Sequence, residues 1–446
     1  MKVKLFSVLI AIFMFAIVFS GCFEETEKSK TIYVDDSGGQ DYTSIQDAIN
    51  AANPSDTVYV YPGTYYETIF IDKSINLKGE NQATTIIDDN NNGDVIINVT
   101  ADHMRISGFT IQNSGHDSDA AGIEVRSDYN YITNNIIKKN WDGIALYNSN
   151  NNTISGNSID INDFGISSEY SNYTNISENN FNGNVYAMWH SYSNNNDVYG
   201  NKITYSNYGG IRFVYSCNNT ISENSINNGT GAIWYSYSND NVISNNALID
   251  NEIGTCISFY NSSRNIIFSN TIRNNWKGFS LKDYSTGNII YHNNILKNNE
   301  SANATGNNIW HDVNIEEGNY WDDYNGTDAN DDGIGDAPYN ITGGDNQDLY
   351  PLINPLITSA SGIEDYVGQE VIVIGTLECN PDPPTRFGKF VPGLIFNDGT
   401  EIGFTGEVPY CEEYQKKEIE LICEVYQCEL VDSCEGILLR DIKLKE

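Results

Sequence analysis

Three sets of residues carry side chains able to do chemistry. The first is Asp328-x-Asn330-x-Asp332-Gly333-x-Gly335-Asp336. Side-chain oxygens at alternate positions, followed by glycine, make the first half of a calcium loop. Tyr339 stands where an EF-hand places its closing bidentate Glu, so Asp336 is expected to substitute, with the Ile334 carbonyl as a further ligand. The expectation is a structural Ca²⁺; the plainer alternative is a solvated acidic turn. The second set is Glu124, Arg126, Asp142 and Glu169. Carboxylates beside a cation are the ingredients of acid–base chemistry on a glycan. Arg126 and Glu169, however, share a column two coils apart, roughly 10 Å at ~4.8 Å per coil. That is too far for a direct pair, and no catalytic residue is assigned. The third is Trp189, Arg212 and Trp234, aromatic faces and a guanidinium on which sugar rings could stack and hydrogen-bond; the plainer alternative is simple stacking at the surface. Copper would require His, Cys or Met ligands. His103, His116, His190, His292 and His311 contain no close pair, so copper is not expected.

These residues lie far apart in the chain and need a scaffold to bring them together. An asparagine recurs every 22 to 24 residues, at Asn135, Asn157, Asn179, Asn201, Asn224, Asn246, Asn270 and Asn293. An aliphatic residue precedes each by three positions, from Ile132 to Ile290, and another apolar residue follows each by two, from Ile137 to Ile295. A small residue and an apolar one come later in each unit, as in Gly143-Ile144 and Gly210-Ile211. Such periodicity is the mark of a solenoid. Short apolar/polar alternation reads as strands, and the fixed Gly and Asn read as turns. One unit cannot bury its own apolar face, so successive coils must stack. In that register Trp189, Arg212 and Trp234 become neighbours on an outward column. Tyr170, Tyr192, Tyr215 and Tyr237 form a second column, facing inward or at a bend, expected to stack ring on ring.

The pattern resembles the right-handed parallel β-helix repeats of pectate-lyase-like proteins, and most closely the NosD-like group of exported β-helix proteins. The resemblance spans about residues 31–355 and implies an all-β solenoid. Its entry segment places a capping helix at about 44–52, with Ser44 as N-cap. Gly318-Asn319-Tyr320-Trp321-Asp322 through Asp348-Leu349-Tyr350-Pro351 resembles the ending of NosD-like repeats, a terminator over about 318–352. The NosD name is attached to copper delivery, but likeness at the repeat level does not carry copper ligands with it. No pectate-lyase, pectinesterase or polygalacturonase signature is present, and the fold alone does not confer their chemistry.

Around the solenoid, residues 1–22 resemble a secretory signal with a lipobox. Lys2 and Lys4 precede an apolar run, and Ser20-Gly21 precede Cys22, the expected lipid-attachment site. Phe19 departs from the Leu preferred there. Residues 23–30 read as a tether. The last segment, 359–446, reads as five or so short strands, similar to a small OB-like β-barrel. Cys379, Cys411, Cys423, Cys428 and Cys434 crowd it, and in an exported chain they suggest disulfides with one thiol left over. N-x-S/T sequons, for example at Asn98, Asn172 and Asn340, would allow glycosylation if the source performs it.

The net charge of −36 argues against nucleic acid, which needs a basic surface. The sequence therefore points to a cell-surface lipoprotein, anchored to the outer face of the cytoplasmic membrane through lipid only. Its expected work is non-enzymatic binding of a glycan or surface protein. The alternative is a carbohydrate-active enzyme of lyase, epimerase or hydrolase type on the β-helix face.

Overall fold

The computed structural model describes residues 28–115, 118–251 and 253–357, and in the C-terminal region 366, 369–378, 393–396, 401–404, 418–428 and 436–444. Cys22 and the expected signal and tether lie outside the described residues, apart from 28–30.

Three parallel sheets wrap one apolar core. The first has twelve strands, running from Thr31–Val34 to Ile289–Tyr291; the second has twelve, from Gly63–Tyr65 to Tyr320–Trp321; the third has eleven, from Ile69–Ile71 to Glu300–Ala304. Each strand pairs with the equivalent strand of the next coil, in a register that keeps like positions in line. Ile132, Ile154, Ile176 and Val198 succeed one another in the first sheet, and Ile137, Ile159, Phe181 and Ile203 in the second. All are fully buried. A β-solenoid of this kind follows from short strands that cannot bury a face alone.

The recurrent asparagines hold the corner between the first and second sheets. The Oδ1 of Asn224 accepts from both the backbone N–H (2.9 Å) and the Nδ2 (3.0 Å) of Asn201, whose Nδ2 also donates to the Ile176 carbonyl at 2.8 Å. The pattern repeats from Asn135 to Asn319, so buried backbone groups at the turns find partners. Two further asparagine rows, through Asn140–Asn162–Asn184 and Asn196–Asn219–Asn241, do the same at the other corners. A serine row, Ser149 to Ser285, accompanies the last.

The tyrosine column lies at the bend after the third sheet and points to solvent. Tyr170, Tyr192, Tyr215 and Tyr237 all have left-handed backbones, with φ between 49° and 51°. Their rings stack at centroid spacings of 4.9, 5.0 and 4.8 Å. Ring-on-ring stacking therefore holds, on the outside of the corner.

Both ends of the core are closed. The helix Ile45–Ala51 buries Ile45, Ala48 and Ile49. Its N-terminus is held twice: the Ser44 hydroxyl accepts from Asp47 N, and Glu67 accepts from Ile45 N (2.9 Å) and Gln46 N (3.0 Å). At the far end Trp310 and Trp321 are buried over the last coil. The carboxylate of Asp348 ends the asparagine row, accepting from Asn319 N (2.7 Å) and Trp321 Nε1 (2.9 Å). A Cβ at Gly318 would run into that carboxylate, so glycine is required there.

The last part of the described chain forms a six-stranded sheet, in which Leu356–Ile357 is joined by five strands that follow it: Glu370–Glu378, Gly393–Ile395, Glu401–Phe404, Glu418–Cys428 and Gly436–Leu444. Glu370–Glu378 pairs with Leu356–Ile357, Gly393–Ile395 and Glu418–Cys428. Val371, Val373, Leu394, Leu421, Cys423 and Leu439 are buried together. Cys423 is a free thiol on the apolar side of its strand, which agrees with one of the five cysteines being left unpaired. Cys379, Cys411 and Cys434 lie outside the described residues.

Candidate functional site

The third sheet presents three outward columns. The central one runs Glu124, Ala145, Ser167, Trp189, Arg212, Trp234, Ser258 and Ser280. Three positions earlier on each strand lie Ala121, Asp142, Phe164 and Tyr186. On the other side, Tyr147 and Glu169 are neighbours, and the Arg126 guanidinium lies 4.8 Å from the Tyr147 ring centroid. Parallel registration thus assembles side chains from six coils, from Glu124 to Trp234, into one patch.

Its upper end is acidic. Asp142 is only 5% exposed although it belongs to the outward side of the sheet. Its Oδ2 accepts from Ser167 Oγ at 2.8 Å, while its Oδ1 has no hydrogen-bond partner. Burial, with Asp163 and Glu124 adding like charge, pushes its carboxyl up to about 7. Glu124 is also buried but differs in kind, because it is ion-paired with Arg126 Nε at 2.5 Å. Asp142 is thus a candidate proton donor, with the Arg126-bound Glu124 on the neighbouring coil. Glu169 is exposed and takes no part in this ion pair. Trp141 and Phe164 flank the acidic end, 6.1 Å apart, and Phe164 stacks on Tyr186 at 5.3 Å.

The lower end is the Trp189–Arg212–Trp234 column. The guanidinium lies 4.9 Å from the Trp189 ring centroid and 4.1 Å from that of Trp234. The three are brought together as expected, but Arg212 covers the ring faces that a sugar would use. Phe164 and Tyr186 complete the patch with edge-on contacts to Trp189, at 6.0 and 5.3 Å. Phe164 and Tyr186 share a 22-residue spacing that marks the same column. The burial of Asp142 left no such mark, since it depends on neighbours from adjacent coils.

The acidic loop near the terminator folds back on its own amides. Asp328 accepts from Asp332 N (3.2 Å) and Gly333 N (2.8 Å), Asp332 from Ile334 N (2.9 Å), and Asp336 from Ala329 N (3.0 Å). Among the described residues no three His, Cys, Asp or Glu side chains converge as a metal-holding group. His190 is buried with Nδ1 against Ser168 Oγ at 2.5 Å, and burial pushes its imidazole down to about 3. His292 meets Glu317 at 2.9 Å, and His103 stacks on Tyr129. Met104 is buried beneath Ile75, its sulfur taking that residue's N–H. These described donors are dispersed along the solenoid.

A family model described as "Periplasmic copper-binding protein (NosD)" matches residues 49–212 and 204–326, more than half of the chain. Among solved structures, the Dettilon tailspike protein aligns with a TM-score of 0.52 and 13% identity, over 65% of this chain and 68% of that one. The GH136 lacto-N-biosidase of Eubacterium ramulus aligns with a TM-score of 0.51 and 13% identity, over 63% of this chain and 68% of that one. At that identity the likeness concerns the fold. No match is found among curated proteins.

Proposed function

The chain belongs to the NosD family, and from that premise we propose that it is an exported carbohydrate-handling protein whose third-sheet face performs acid–base chemistry on a glycan. The observation that carries this reading is Asp142, a buried carboxyl on an outward face, with one oxygen unpartnered and an ion-paired Glu124 nearby. Asp142 holds its proton near neutral pH and is the proposed general acid. Glu124 is the proposed base or nucleophile, oriented by Arg126. Trp141, Phe164 and Tyr186 supply apolar contact for sugar rings. The two solved relatives above include a glycosidase by name, which accords with this reading without carrying it.

A second reading is glycan or protein binding without turnover, in which the Trp189–Arg212–Trp234 column is a recognition patch. It is favoured by the rigid aromatic stack itself. A panel of polysaccharides separates the two: the chain is tested for binding to each and for release of reducing ends or unsaturated products. Turnover of any member supports the first reading. Binding with no turnover supports the second, and neither result in any member contradicts both.

Three finer features belong to the same proposal. Cys22 anchors the mature chain by lipid to the outer face of the membrane. The C-terminal strands form an OB-like barrel over 359–446, a reading supported by the pairing of Glu370–Glu378 with both Gly393–Ile395 and Glu418–Cys428. The loop of Asp328, Asn330, Asp332, Ile334 and Asp336 takes a structural Ca²⁺, for which its carboxylates exchange backbone amides for the ion.

A further inference from the structure

Arg212 is half-buried, in a chain with 60 acidic and 24 basic residues, yet among the described residues no carboxylate forms an ion pair with it. Scarcity of anions is not the reason. Arg126 and Arg264 both take carboxylates, the latter in a fork to Asp240 at 2.8 and 2.6 Å. Arg212 is held by rings instead. Trp189 and Trp234 belong to the coils on either side, with centroids 4.9 and 4.1 Å from its guanidinium carbon. Tyr186 lies 5.2 Å away and accepts a hydrogen bond from it.

Stacking fixes the plane of a guanidinium but does not satisfy its donors, which lie in that plane. A half-buried cation with one hydrogen-bond partner among the described residues is poorly compensated, and burial lowers its hold on its proton. The planar fork matches a carboxylate in bidentate fashion, which a neutral hydroxyl cannot reproduce.

We infer that Arg212 is the carboxylate-binding subsite of the third-sheet face, so that the ligand is an acidic saccharide and the two tryptophans are the walls of a clamp. This rests on the reading of that face as glycan-handling. Asp142 and Arg212 are three coils apart, roughly 14 Å at ~4.8 Å per coil. Arg212 therefore binds a part of the ligand remote from the acid, where it contributes recognition rather than proton transfer.

The experiment is titration calorimetry of the full chain with a uronic-acid hexasaccharide and with its carboxyl-reduced neutral counterpart, at physiological salt. Native protein is expected to bind the acidic form roughly tenfold or more tightly. Arg212→Gln is expected to remove that preference, and Arg212→Lys, with charge but no fork, to retain only part of it. Thermal melts of each variant identify any loss of fold, and the native comparison stands without them. Equal affinity of native protein for both sugars overturns the inference while leaving the glycan reading intact. So does a preference that survives in folded Arg212→Gln. Binding to neither sugar overturns the acidic-saccharide inference alone, and the broader polysaccharide panel then decides the glycan reading.

Discussion

Ser167 donates to the Oδ2 of Asp142 at 2.8 Å across neighbouring strands of the third sheet, and the other oxygen of that carboxyl has no partner. A buried carboxylate left so poorly solvated is disfavoured, so the proton stays on. The hydroxyl fixes the orientation of the acid. Without its charge, Asp142 can sit among Trp141, Phe164 and the sheet; ionised, it would repel Asp163 and Glu124.

A pH dependence of stability follows. The Asp142 carboxyl is raised from 3.8 to about 7 in the folded chain. Between those values the unfolded chain has released the proton and the folded chain has kept it. The native state then binds more protons, so stability falls as pH rises through this window and levels off above it. Asp142→Asn removes the dependence. The difference in unfolding free energy between wild type and variant, followed by urea titration from pH 4 to 8, should drift by a few kcal/mol in the variant's favour. A constant difference would show that Asp142 ionises normally.

The asparagine row gives a stability prediction. Asn201→Ala strips Nδ2 donations to Ile176 O and Asn224 Oδ1 and the Oδ1 that serves Asn179. Buried amides lose partners, at a cost of about 2–4 kcal/mol. Asn201→Asp keeps the acceptor and loses the donors, and should be destabilised as well. Urea midpoints of the two variants check this.

At the exposed bend the backbone decides. Tyr215 has φ of 51°, a region open to asparagine but hostile to β-branched residues. Asn148 and Asn261 occupy the same corner in other coils, with φ of 49° and 47°. Tyr215→Asn should cost no more than the lost stacking, about 1 kcal/mol, and Tyr215→Val roughly 1–2 kcal/mol beyond that. Equal melting temperatures for the two variants would contradict the left-handed corner.

For the acidic loop, Ca²⁺ should raise the melting temperature of wild type by mass action and leave Asp328→Asn/Asp332→Asn unmoved. A melt indifferent to both calcium and chelator removes the proposed ion.

Much of this architecture was legible because the solenoid writes one residue per coil at each position. Asn201 and Ile203 announce their corner and their core column in any single unit. The Trp189–Arg212–Trp234 neighbourhood was legible for the same reason. What those side chains do to one another was not, since Arg212 covering both indoles is a matter of rotamers rather than spacing. Asp142 was visible as a carboxylate, but its burial arises from Trp141, Phe164 and Ser167 in three-dimensional combination. The first coils, from Thr31 to Gln112, were harder to read because their turns vary in length. Cys423 looked like its neighbours in sequence; only the strand's facing puts its thiol inside.

The central claim is that Asp142 supplies the proton in a reaction on a glycan. It is tested most directly by comparing wild type with Asp142→Asn on a polysaccharide that the wild type converts, with binding measured on the same samples. The account predicts turnover lowered by roughly 10²-fold or more with affinity unchanged. Equal turnover by the folded variant, or absence of turnover by wild type on every polysaccharide it binds, would contradict it.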